Sequence, residues 1–313
     1  MNKYCFKKGV RMKSLVTGGA GFIGSHIVDK LVELGHEVIV LDTETSQVHD
    51  SFYYNPKATY YKLDIADYEN TRPLYNNVNY VFHCAAESRI QPTLLNPLLT
   101  IRTNTLGTGT VLQCSRESGV DKVIYSSTSS GYGLVNQAPL TEGMPDDCLN
   151  PYSVSKVSGE KLCAMYTKLF GLKTITFRYF NVYGPREPLK GPYAPVVGLF
   201  LRQFFAGQSL TIVPDGTQRR DFTHVDDVVN ANLLAMKIND HNCYGEIFNV
   251  GSGRNHSVLE LAAMISTATT MIEPRKGEAY ITLANTSKIQ NIFGWQATKQ
   301  IEDYIKEKLT GSV

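Results

Sequence analysis

The 313-residue sequence predicts an α/β protein built on a doubly wound parallel sheet, with a smaller α/β region nearer the C terminus. The first observation is the alternation, from residue 13 onward, of short strand-like runs with longer stretches of helical hydrophobic period. The second is a glycine-rich turn between the first strand and the first helix. The third is a change after about residue 180, where a Pro- and Gly-rich loop leads into shorter elements.

The predicted elements are short and regular. Strands are predicted at residues 14–17, 37–42, 58–64, 78–86, 120–127 and 172–180, and helices at residues 22–35, 98–119 and 153–171. Farther along, the pattern predicts a helix at 196–207, strands at 210–213 and 246–251, and a helix at 258–269. Gly35 and Gly171 end two of these helices, which is typical of helix C termini.

Two regions follow from this order of elements. Residues 12–180 are predicted to form the main sheet domain, to which a helix near 224–238 and a strand near 246–251 return. Residues 181–223 and 252–313 are predicted to form the smaller region. We expect this region to cap the carboxyl edge of the sheet, where open α/β folds bind their ligands.

Composition argues against several classes of protein. The net charge is +2 and no basic run is dense, so we expect no nucleic-acid partner. No uncharged apolar stretch is long enough to span a membrane, and the basic N-terminal segment lacks the apolar core of a signal peptide. The six cysteines form no C-x-x-C pair and no zinc-type cluster, which indicates reduced thiols, a cytoplasmic location and no metal site.

The glycine-rich turn at residues 17–24 predicts a dinucleotide-binding, Rossmann-type domain. Its sequence satisfies G-x-G-x-x-G through Gly19, Gly21 and Gly24. It also satisfies G-x-x-G-x-x-G when the count starts at Gly18. Glycines at these places allow a tight turn and a close approach of a pyrophosphate, which the helix N terminus then binds through its amides and dipole. The motif alone is weak, but the strand before the turn and the helix after it make it more specific.

Asp42 ends the second predicted strand at the distance from the turn that this motif requires. Its carboxylate would accept hydrogen bonds from the adenosine ribose. Thr43 and Glu44, which follow it, offer no cation for a 2′-phosphate, so the predicted cofactor is NAD rather than NADP. The other cofactor contacts expected at these element ends are Phe22 and Ile23 at the helix start, Asp64 and Ile65 at the adenine, and Ala85 and Ala86 beside the dinucleotide.

Tyr152 and Lys156 are the candidate catalytic pair. The Y-x-x-x-K pattern occurs at three other places in the chain, so context has to distinguish this one. Asn150 is a good N-cap and Pro151 a good first helical residue, which puts the two side chains one turn apart on one helix face. A phenol is a poor base at neutral pH unless a nearby positive charge stabilises the phenolate. The hydroxyl run at 126–130 ends the preceding strand and could hold a substrate oxygen.

The blocks that carry these features, in this order, resemble one family. They are TGGAGFIGSH at 17–26, HCAAES at 83–88, SSTSSGYG at 126–133, PYSVSK at 151–156, RYFNVYGPRE at 178–187 and RRDFTHVDDV at 219–228. From Met12 onward the chain resembles the extended short-chain dehydrogenase/reductases, and within them the NAD-dependent nucleotide-sugar epimerases of the UDP-hexose 4-epimerase type. Each block alone is unspecific, whereas the set is highly specific.

The resemblance implies roles for individual residues. Tyr152 would be the catalytic base, Lys156 its electrostatic partner, and Thr128 the hydroxyl that holds the substrate oxygen. Tyr179 would contact NAD, and Asn104 would contact the cofactor or order the active-site helix. The residues implied to bind a UDP-sugar are Ser88, Thr128, Ser129, Asn181, Arg220, Arg275, Glu278 and Thr282. Of these, the arginines and the asparagine fall where the family contacts the diphosphate, and the glutamate falls at the uridine ribose.

The residues after Thr128 bear on which reaction follows. In this family a tyrosinate takes the proton from a sugar hydroxyl while the C4 hydrogen passes to NAD⁺ as hydride. Related 4,6-dehydratases carry an Asp-Glu pair directly after the catalytic threonine, and UDP-glucuronate decarboxylases carry a glutamate in the same run, whereas this chain has Ser129 and Ser130. We therefore predict 4-epimerisation of a UDP-hexose through a 4-keto intermediate. The alternatives are UDP-glucuronate 4-epimerisation, or a 4,6-dehydratase, decarboxylase or reductase activity on a sugar nucleotide.

The choice of sugar depends on a few further positions. A small Thr282 at the position that gates the sugar pocket would admit the N-acetylated pair beside UDP-glucose and UDP-galactose, whereas Tyr280 there would exclude it. Arg89 or Arg186 could meet a C6 carboxylate, although a solvated loop arginine is the default interpretation. Related enzymes dimerise through the helices that correspond to residues 93–118 and 151–170, so the resemblance also implies a homodimer.

Overall fold

A seven-stranded parallel sheet forms the centre of this computed structural model, which describes residues 12–46, 49, 51–189, 194–273 and 279–311. The strands are β1 Lys13–Thr17, β2 Glu37–Asp42, β3 Thr59–Lys62, β4 Tyr80–His83, β5 Lys122–Thr128, β6 Thr174–Tyr179, β7 Val182–Tyr183, β8 Leu210–Ile212, β9 Arg219–Asp221, β10 Thr223–His224, β11 Glu246–Val250, β12 Asn255–Ser257 and β13 Thr269–Met271. The main sheet has the order β11-β6-β5-β4-β1-β2-β3. The strand order therefore reverses between β1 and β4, and this reversal opens the crevice in which doubly wound folds bind ligands.

Helices cover both faces of the main sheet. They are α1 Phe22–Glu33, α2 Tyr68–Thr71, α3 Ile90–Leu95, α4 Pro97–Ile101, α5 Gly107–Glu117, α6 Pro151–Phe170, α7 Val196–Phe205, α8 Val225–Lys237, α9 Val258–Ile265, α10 Ser287–Phe293 and α11 Ile301–Thr310. α1 and α8 pack on one face, and α5 and α6 pack on the other. Among the helices that the structure describes, none combines the length and the apolar character needed to cross a lipid bilayer.

The middle of the sheet is buried on both faces. Every residue of β5 and β6 is buried, as expected for central strands of a parallel sheet that helices cover on both sides. β5 nevertheless ends in three hydroxyl residues, Ser126, Ser127 and Thr128. Buried hydroxyls require hydrogen-bond partners, so the end of this strand is a place where polar groups from other elements must converge.

The predicted helix at 98–119 corresponds to helical structure from Pro97 to Glu117, but a short helix that precedes it was not predicted. The helical stretch begins at Ile90 and is interrupted at Asn96, whose side chain accepts a hydrogen bond from the amide of Leu99 at 3.2 Å. Pro97 then starts a new helix, because proline lacks the amide hydrogen that a continuous helix would need there. A π-helical turn at 102–106 follows before α5.

The predicted helix at 258–269 is too long at its C terminus. A capping box between Ser257 and Glu260 fixes the start of α9, and the helix ends at Ile265. Ser266 is extended, and Thr269–Met271 pairs in parallel with β8. The threonines in this stretch are β-branched, and they favour a strand over the last turn of a helix.

The C-terminal half contributes to both regions of the molecule. β11 pairs in parallel with β6 at the edge of the main sheet, and α8 packs against α1. A separate apolar core joins α7, α9 and α11 to β8. Two small pairings, β9 with β12 and β8 with β13, complete this second core. The exact division into the residue ranges given above stays a prediction.

Candidate active site

A cavity of about 610 Å³ runs along the carboxyl ends of the central strands. One end is lined by the glycine-rich turn, the middle by the hydroxyl run and by α6, and the other end by residues between 211 and 222. The predicted cofactor residues on its wall are Gly18, Gly21, Phe22, Ile23, Gly24, Asp42, Asp64, Ile65, Ala85, Ala86, Tyr152, Lys156 and Tyr179. The predicted substrate residues on its wall are Ser88, Ser129, Asn181, Arg220 and Thr282.

The turn between β1 and α1 has a shape that only glycine allows. Gly18 has a φ of 68°, and a Cβ placed on it would lie 2.7 Å from the backbone nitrogen of Ala85. A Cβ on Gly24 would collide with the carbonyl oxygen of Gly18. Gly21 faces the cavity and begins α1 as its N-cap, with no side chain to occupy the helix N terminus. The turn therefore fits the diphosphate of a dinucleotide, which a helix N terminus binds through free amides.

Asp42 holds the position expected for a ribose-binding carboxylate. Its Oδ2 accepts a hydrogen bond from the amide of Ala20 at 3.0 Å, and its Oδ1 accepts one from the amide of Glu44 at 2.9 Å. Burial raises the pKa of this carboxyl above its ordinary value. A carboxylate has about four lone-pair positions, so Asp42 can accept hydroxyl hydrogens besides these two amides. The ammonium of Lys62 lies 3.6 Å from the carboxylate of Glu44, with which it forms an ion pair.

Tyr152 lies at the start of α6, where local sequence fixes its direction. Asn150 and Ser153 form a capping box, with Pro151 as the first helical residue. Burial raises the pKa of the Tyr152 phenol, while a hydrogen bond with Thr128 and the charge of Arg89 act in the opposite direction. The structure thus brings the predicted base and the predicted hydroxyl together, across a loop that separates them in sequence.

Lys156 lies one turn farther along α6. Its ammonium lies 4.3 Å from the centre of the Tyr125 ring. Burial lowers the pKa of Lys156 to about 8, and Cys84, Cys163 and Glu160 oppose that shift. The charge of Arg89 also lowers the pKa of the Tyr152 phenol. The role of Lys156 as the electrostatic partner of Tyr152 stays a prediction.

Arg89 lies at the cavity, although the sequence favoured a solvated loop position for it. Instead of being a solvated loop side chain, it lines the cavity at the N-cap of α3 with a φ of 76°. Burial lowers the pKa of its guanidinium to about 10, with Tyr152 and Glu187 as opposing influences. Arg186, by contrast, donates to Ser25 at 3.1 Å and pairs with Asp29 at 2.8 Å, so it is held against α1. The signal that could have found Arg89 was its place in the loop that follows β4 at the carboxyl edge of the sheet.

The hydroxyl run has a different partner for each member. Ser126 donates to the sulfur of Cys84 at 3.3 Å and lies 3.2 Å from the Tyr179 hydroxyl. The side chain of Thr128 accepts from the amide of Ser130 at 3.1 Å, which starts a 3-10 turn at 129–132. The run therefore bends at Thr128.

Asn104 lies behind the cavity rather than on its described wall. It occupies the π-helical turn, where its amide nitrogen donates to the Glu87 carbonyl and to the Ser155 hydroxyl, both at 2.9 Å. Its side-chain oxygen accepts from the Glu87 amide at 2.7 Å. These bonds join the loop after β4 to α6, which favours the helix-ordering alternative over a direct cofactor contact.

The far end of the cavity carries the predicted diphosphate residues. Asn181 has a φ of 28° and donates to the Asp221 carbonyl at 2.9 Å and to the Thr282 hydroxyl at 3.2 Å. Arg220 lines the cavity and donates to the Tyr280 carbonyl at 3.1 Å. The side chain of Tyr280 is 54% exposed and its hydroxyl contacts Thr217. Arg275 and Glu278 lie outside the described residues.

The fold and the site together define a class of protein. A doubly wound sheet, a glycine turn at its first helix, and a tyrosine and lysine one turn apart beside a strand-end hydroxyl are the features of a dinucleotide-dependent short-chain dehydrogenase/reductase-type enzyme. The chain belongs to the NAD dependent epimerase/dehydratase family, which matches residues 14–251. NAD is accordingly its cofactor.

Three similar proteins illustrate this relationship. A protein of Methanocaldococcus jannaschii, provisionally named a UDP-glucose 4-epimerase, is 37% identical over 93% of this chain and 95% of its own length. The structure of the UDP-glucose 4-epimerase of Thermotoga maritima with UDP-glucose is 35% identical, with a TM-score of 0.89 over 96% of this chain and 99% of that one. The UDP-N-acetylglucosamine 4-epimerase of Methanobrevibacter ruminantium, in complex with UDP-N-acetylmuramic acid, is 28% identical, with a TM-score of 0.88 over 96% and 97%.

Proposed function

We propose that this protein catalyses the NAD-dependent 4-epimerisation of a UDP-hexose, either the glucose/galactose pair or the N-acetylated pair, through a transient 4-keto intermediate. The observation that carries this proposal is the contact between Thr128 and the Tyr152 phenol, which lines the same cavity as the glycine turn and Arg220. The cavity thus has a dinucleotide end, an acid–base centre and a cation for a diphosphate. Similarity to 4-epimerases over nearly the whole chain supports the same reaction.

Each residue of the site has a separate role in the proposed reaction. Tyr152 takes the proton from the C4 hydroxyl of the sugar, and Thr128 holds that oxygen by a hydrogen bond as the proton leaves. Bound NAD supplies the hydride acceptor for the first half of the reaction and the donor for the second, so no net redox change occurs. Arg220 and Asn181 hold the diphosphate while the keto sugar turns over. Tyr152 then returns its proton to the oxygen, and the configuration at C4 is inverted because hydride would return to the opposite face of the keto carbon.

The hydroxyl run argues against elimination and decarboxylation. The positions after Thr128 are Ser129 and Ser130, which cannot act as acid or base at neutral pH. Glu87 also lines the cavity, and burial and the neighbouring charge of Asp64 raise the pKa of its carboxyl. With no carboxyl group at the positions after Thr128, the run itself supplies no acid or base for the removal of water or carbon dioxide.

Thr282 supports a pocket that accepts both sugar pairs. Its side chain is buried, lines the cavity, and is fixed by hydrogen bonds from Asn181 and from the amide of Asp221, each at 3.2 Å. The larger Tyr280 is turned toward solvent. A small side chain at the wall leaves room for a 2-acetamido group, so we propose that UDP-GlcNAc and UDP-GalNAc are substrates beside UDP-glucose and UDP-galactose.

A second candidate substrate pair is UDP-glucuronate and UDP-galacturonate. The observation that favours it is Arg89, a half-buried cation on the cavity wall beside the catalytic tyrosine. A guanidinium is suited to a bidentate contact with a C6 carboxylate. In that case Arg89 would bind the substrate as well as act on the charge of Tyr152.

One experiment separates these substrates. The purified protein is incubated separately with UDP-glucose, UDP-GlcNAc and UDP-glucuronate, and the products are identified by NMR. We expect C4 epimers of the first two, without accumulation of reduced cofactor. A C4 epimer of UDP-glucuronate alone would favour the second candidate. A 4-keto-6-deoxy product or release of carbon dioxide would contradict the proposed reaction.

We also propose that the protein is a homodimer and lies in the cytoplasm. The faces of α3, α4 and α6, which pack side by side, expose a run of large apolar side chains. Leu95 and Leu98 are 82% and 77% exposed, and Leu94, Leu99, Ile101, Leu106 and Val154 extend this patch. A patch of this kind marks an interaction surface, and a second copy of the same helices is its complement. The thiols of Cys84, Cys114, Cys148, Cys163 and Cys243 are free, which fits a reducing compartment.

The proposed dimer predicts how a substitution of Leu98 changes the mass in solution. Replacing it by glutamate puts a charge into the centre of the apolar patch, so we expect the mass in light scattering to fall from that of a dimer to that of a monomer. Leu134→Glu is the matched control, because Leu134 is 59% exposed in a loop outside these helices. A wild-type protein that is monomeric at micromolar concentration would refute the dimer.

A further inference from the structure

A buried charged cluster lies directly behind the catalytic residues. Glu160 and Arg178 are each 1% exposed and Ser127 is 4% exposed. Glu160 lies on α6, one turn beyond Lys156 and on the same helix face. Arg178 lies on β6, and Ser127 precedes Thr128 on β5. Three elements that carry or support the active site therefore meet at one carboxylate.

The contacts at Glu160 are short and directional. Arg178 donates to it twice, from Nε to Oε1 at 2.8 Å and from Nη2 to Oε2 at 2.6 Å. The Ser127 hydroxyl donates to Oε1 at 2.5 Å. Arg178 also donates to Asp146 at 2.7 Å, and its guanidinium lies 4.5 Å from the centre of the Tyr132 ring. Bidentate, charge-assisted pairs of this kind fix orientation as well as distance.

This cluster fixes the end of β5 relative to α6. Successive side chains on a strand point to opposite faces, so holding Ser127 sets the direction in which Thr128 projects. Glu160 itself belongs to α6, the helix that carries Tyr152 and Lys156. The distance between the Thr128 hydroxyl and the Tyr152 phenol thus depends on Glu160, although Glu160 touches neither.

Stability alone is a poor reason for a charged cluster in this place. A buried ion pair loses the hydration of both charges, and an apolar pair of similar volume is often as stable or more stable. An apolar pair would supply neither directional hydrogen bonds nor a charge. The Glu160 carboxylate is also one of the groups that oppose the lowering of the Lys156 pKa by burial. The other titratable groups that act on or adjoin this ammonium are Cys84, Cys163, His83 and Tyr125.

We propose that Glu160 is a positioning residue of the reaction, acting through Ser127 and Arg178 to hold Thr128 against Tyr152 and to keep a negative charge beside Lys156. The proposal rests on the proposed function for its kinetic consequences, and on the fold alone for its effect on the lysine.

The first test uses Ser127→Ala, which leaves the ion pair in place. We expect kcat to fall about 10-fold or more, because the catalytic hydroxyl loses its fixed position, while KM for the UDP-hexose and the bound NAD stay unchanged. Ser115→Ala is the matched control, since Ser115 is equally buried and donates to the Val111 carbonyl at 2.7 Å on α5, away from the cavity. Equal kcat values for the two variants would overturn the proposal.

The second test uses Glu160→Gln and does not depend on turnover. The protein is labelled with [ε-¹³C]lysine, and the Lys156 signal, assigned by its loss in Lys156→Gln, is followed by NMR against pH. Removing the carboxylate charge should lower the pKa of Lys156 below its wild-type value, and an unchanged titration would overturn that part of the proposal. If no UDP-hexose is turned over by the wild type, the proposed function fails, whereas this titration still decides the role of Glu160. If Glu160→Gln does not fold, Ser127→Ala decides it.

Discussion

Replacing Tyr152 by phenylalanine is expected to abolish epimerisation while the protein folds and retains NAD. In the proposed mechanism the phenol takes the C4 proton and returns it, and general acid–base catalysis of this kind contributes about 10²–10⁴ in rate. The remaining ring still fills the half-buried place of Tyr152 at the start of α6. The measurement is kcat for UDP-glucose and UDP-GlcNAc, with bound NAD measured by absorbance after the protein is denatured.

Tyr166→Phe is the matched control for this variant. Tyr166 lies on the same helix, and its hydroxyl donates to Gln113 at 2.9 Å on the far side from the cavity. Its loss should leave kcat unchanged. Activity of Tyr152→Phe close to that of the control would contradict the assignment of the base and, with it, the proposed mechanism.

Replacing Gly18 by alanine is expected to remove NAD binding and to lower the free energy of unfolding. Gly18 has a φ of 68°, which costs a residue with a Cβ roughly 1–2 kcal/mol. Its Cβ would also lie 2.7 Å from the backbone nitrogen of Ala85, and overpacking of this kind costs about 1–3 kcal/mol. The turn must move to relieve that contact, and the movement displaces the amides that face the dinucleotide. Bound NAD and urea unfolding give the two measurements.

Gly35→Ala separates the effect of conformation from that of crowding. Gly35 has a φ of 81°, and no atom lies within 4 Å of a Cβ placed on it. This variant should show the conformational cost alone and should keep its NAD. If Gly18→Ala holds NAD as well as Gly35→Ala does, the glycine turn does not bind the dinucleotide in the way that the structure indicates.

The features that sequence predicted correctly are local ones. The seven-stranded sheet follows from the alternation of strands and helices, and the family assignment follows from blocks that stay contiguous in the chain. Two predictions of helices were incomplete. The short helix α3 before Pro97 was not predicted, and the helix predicted to reach residue 269 ends at Ile265.

In the active site, too, the features that the sequence predicted are the local ones. The spacing of Tyr152 and Lys156 and the capping box before them are fixed within a few residues, so the sequence determines that these side chains share a helix face. The glycines of the turn are likewise required by local backbone geometry. Their contact with a dinucleotide follows from the family.

The tertiary structure decided which distant groups reach those residues. Glu160 meets Ser127 across 33 residues, and Thr282 meets Asn181 across 101. The sequence alone determined the turn, the catalytic helix, the hydroxyl run and the NAD-dependent family. Only the folded sheet decided that Arg89 enters the cavity, that Asn104 lies behind it and that Glu160 joins β5 to α6. The physical reason is that the ends of parallel strands converge only when the sheet has formed, and that burial, which shifts the pKa values of Tyr152, Lys156 and Arg89, exists only in the folded protein.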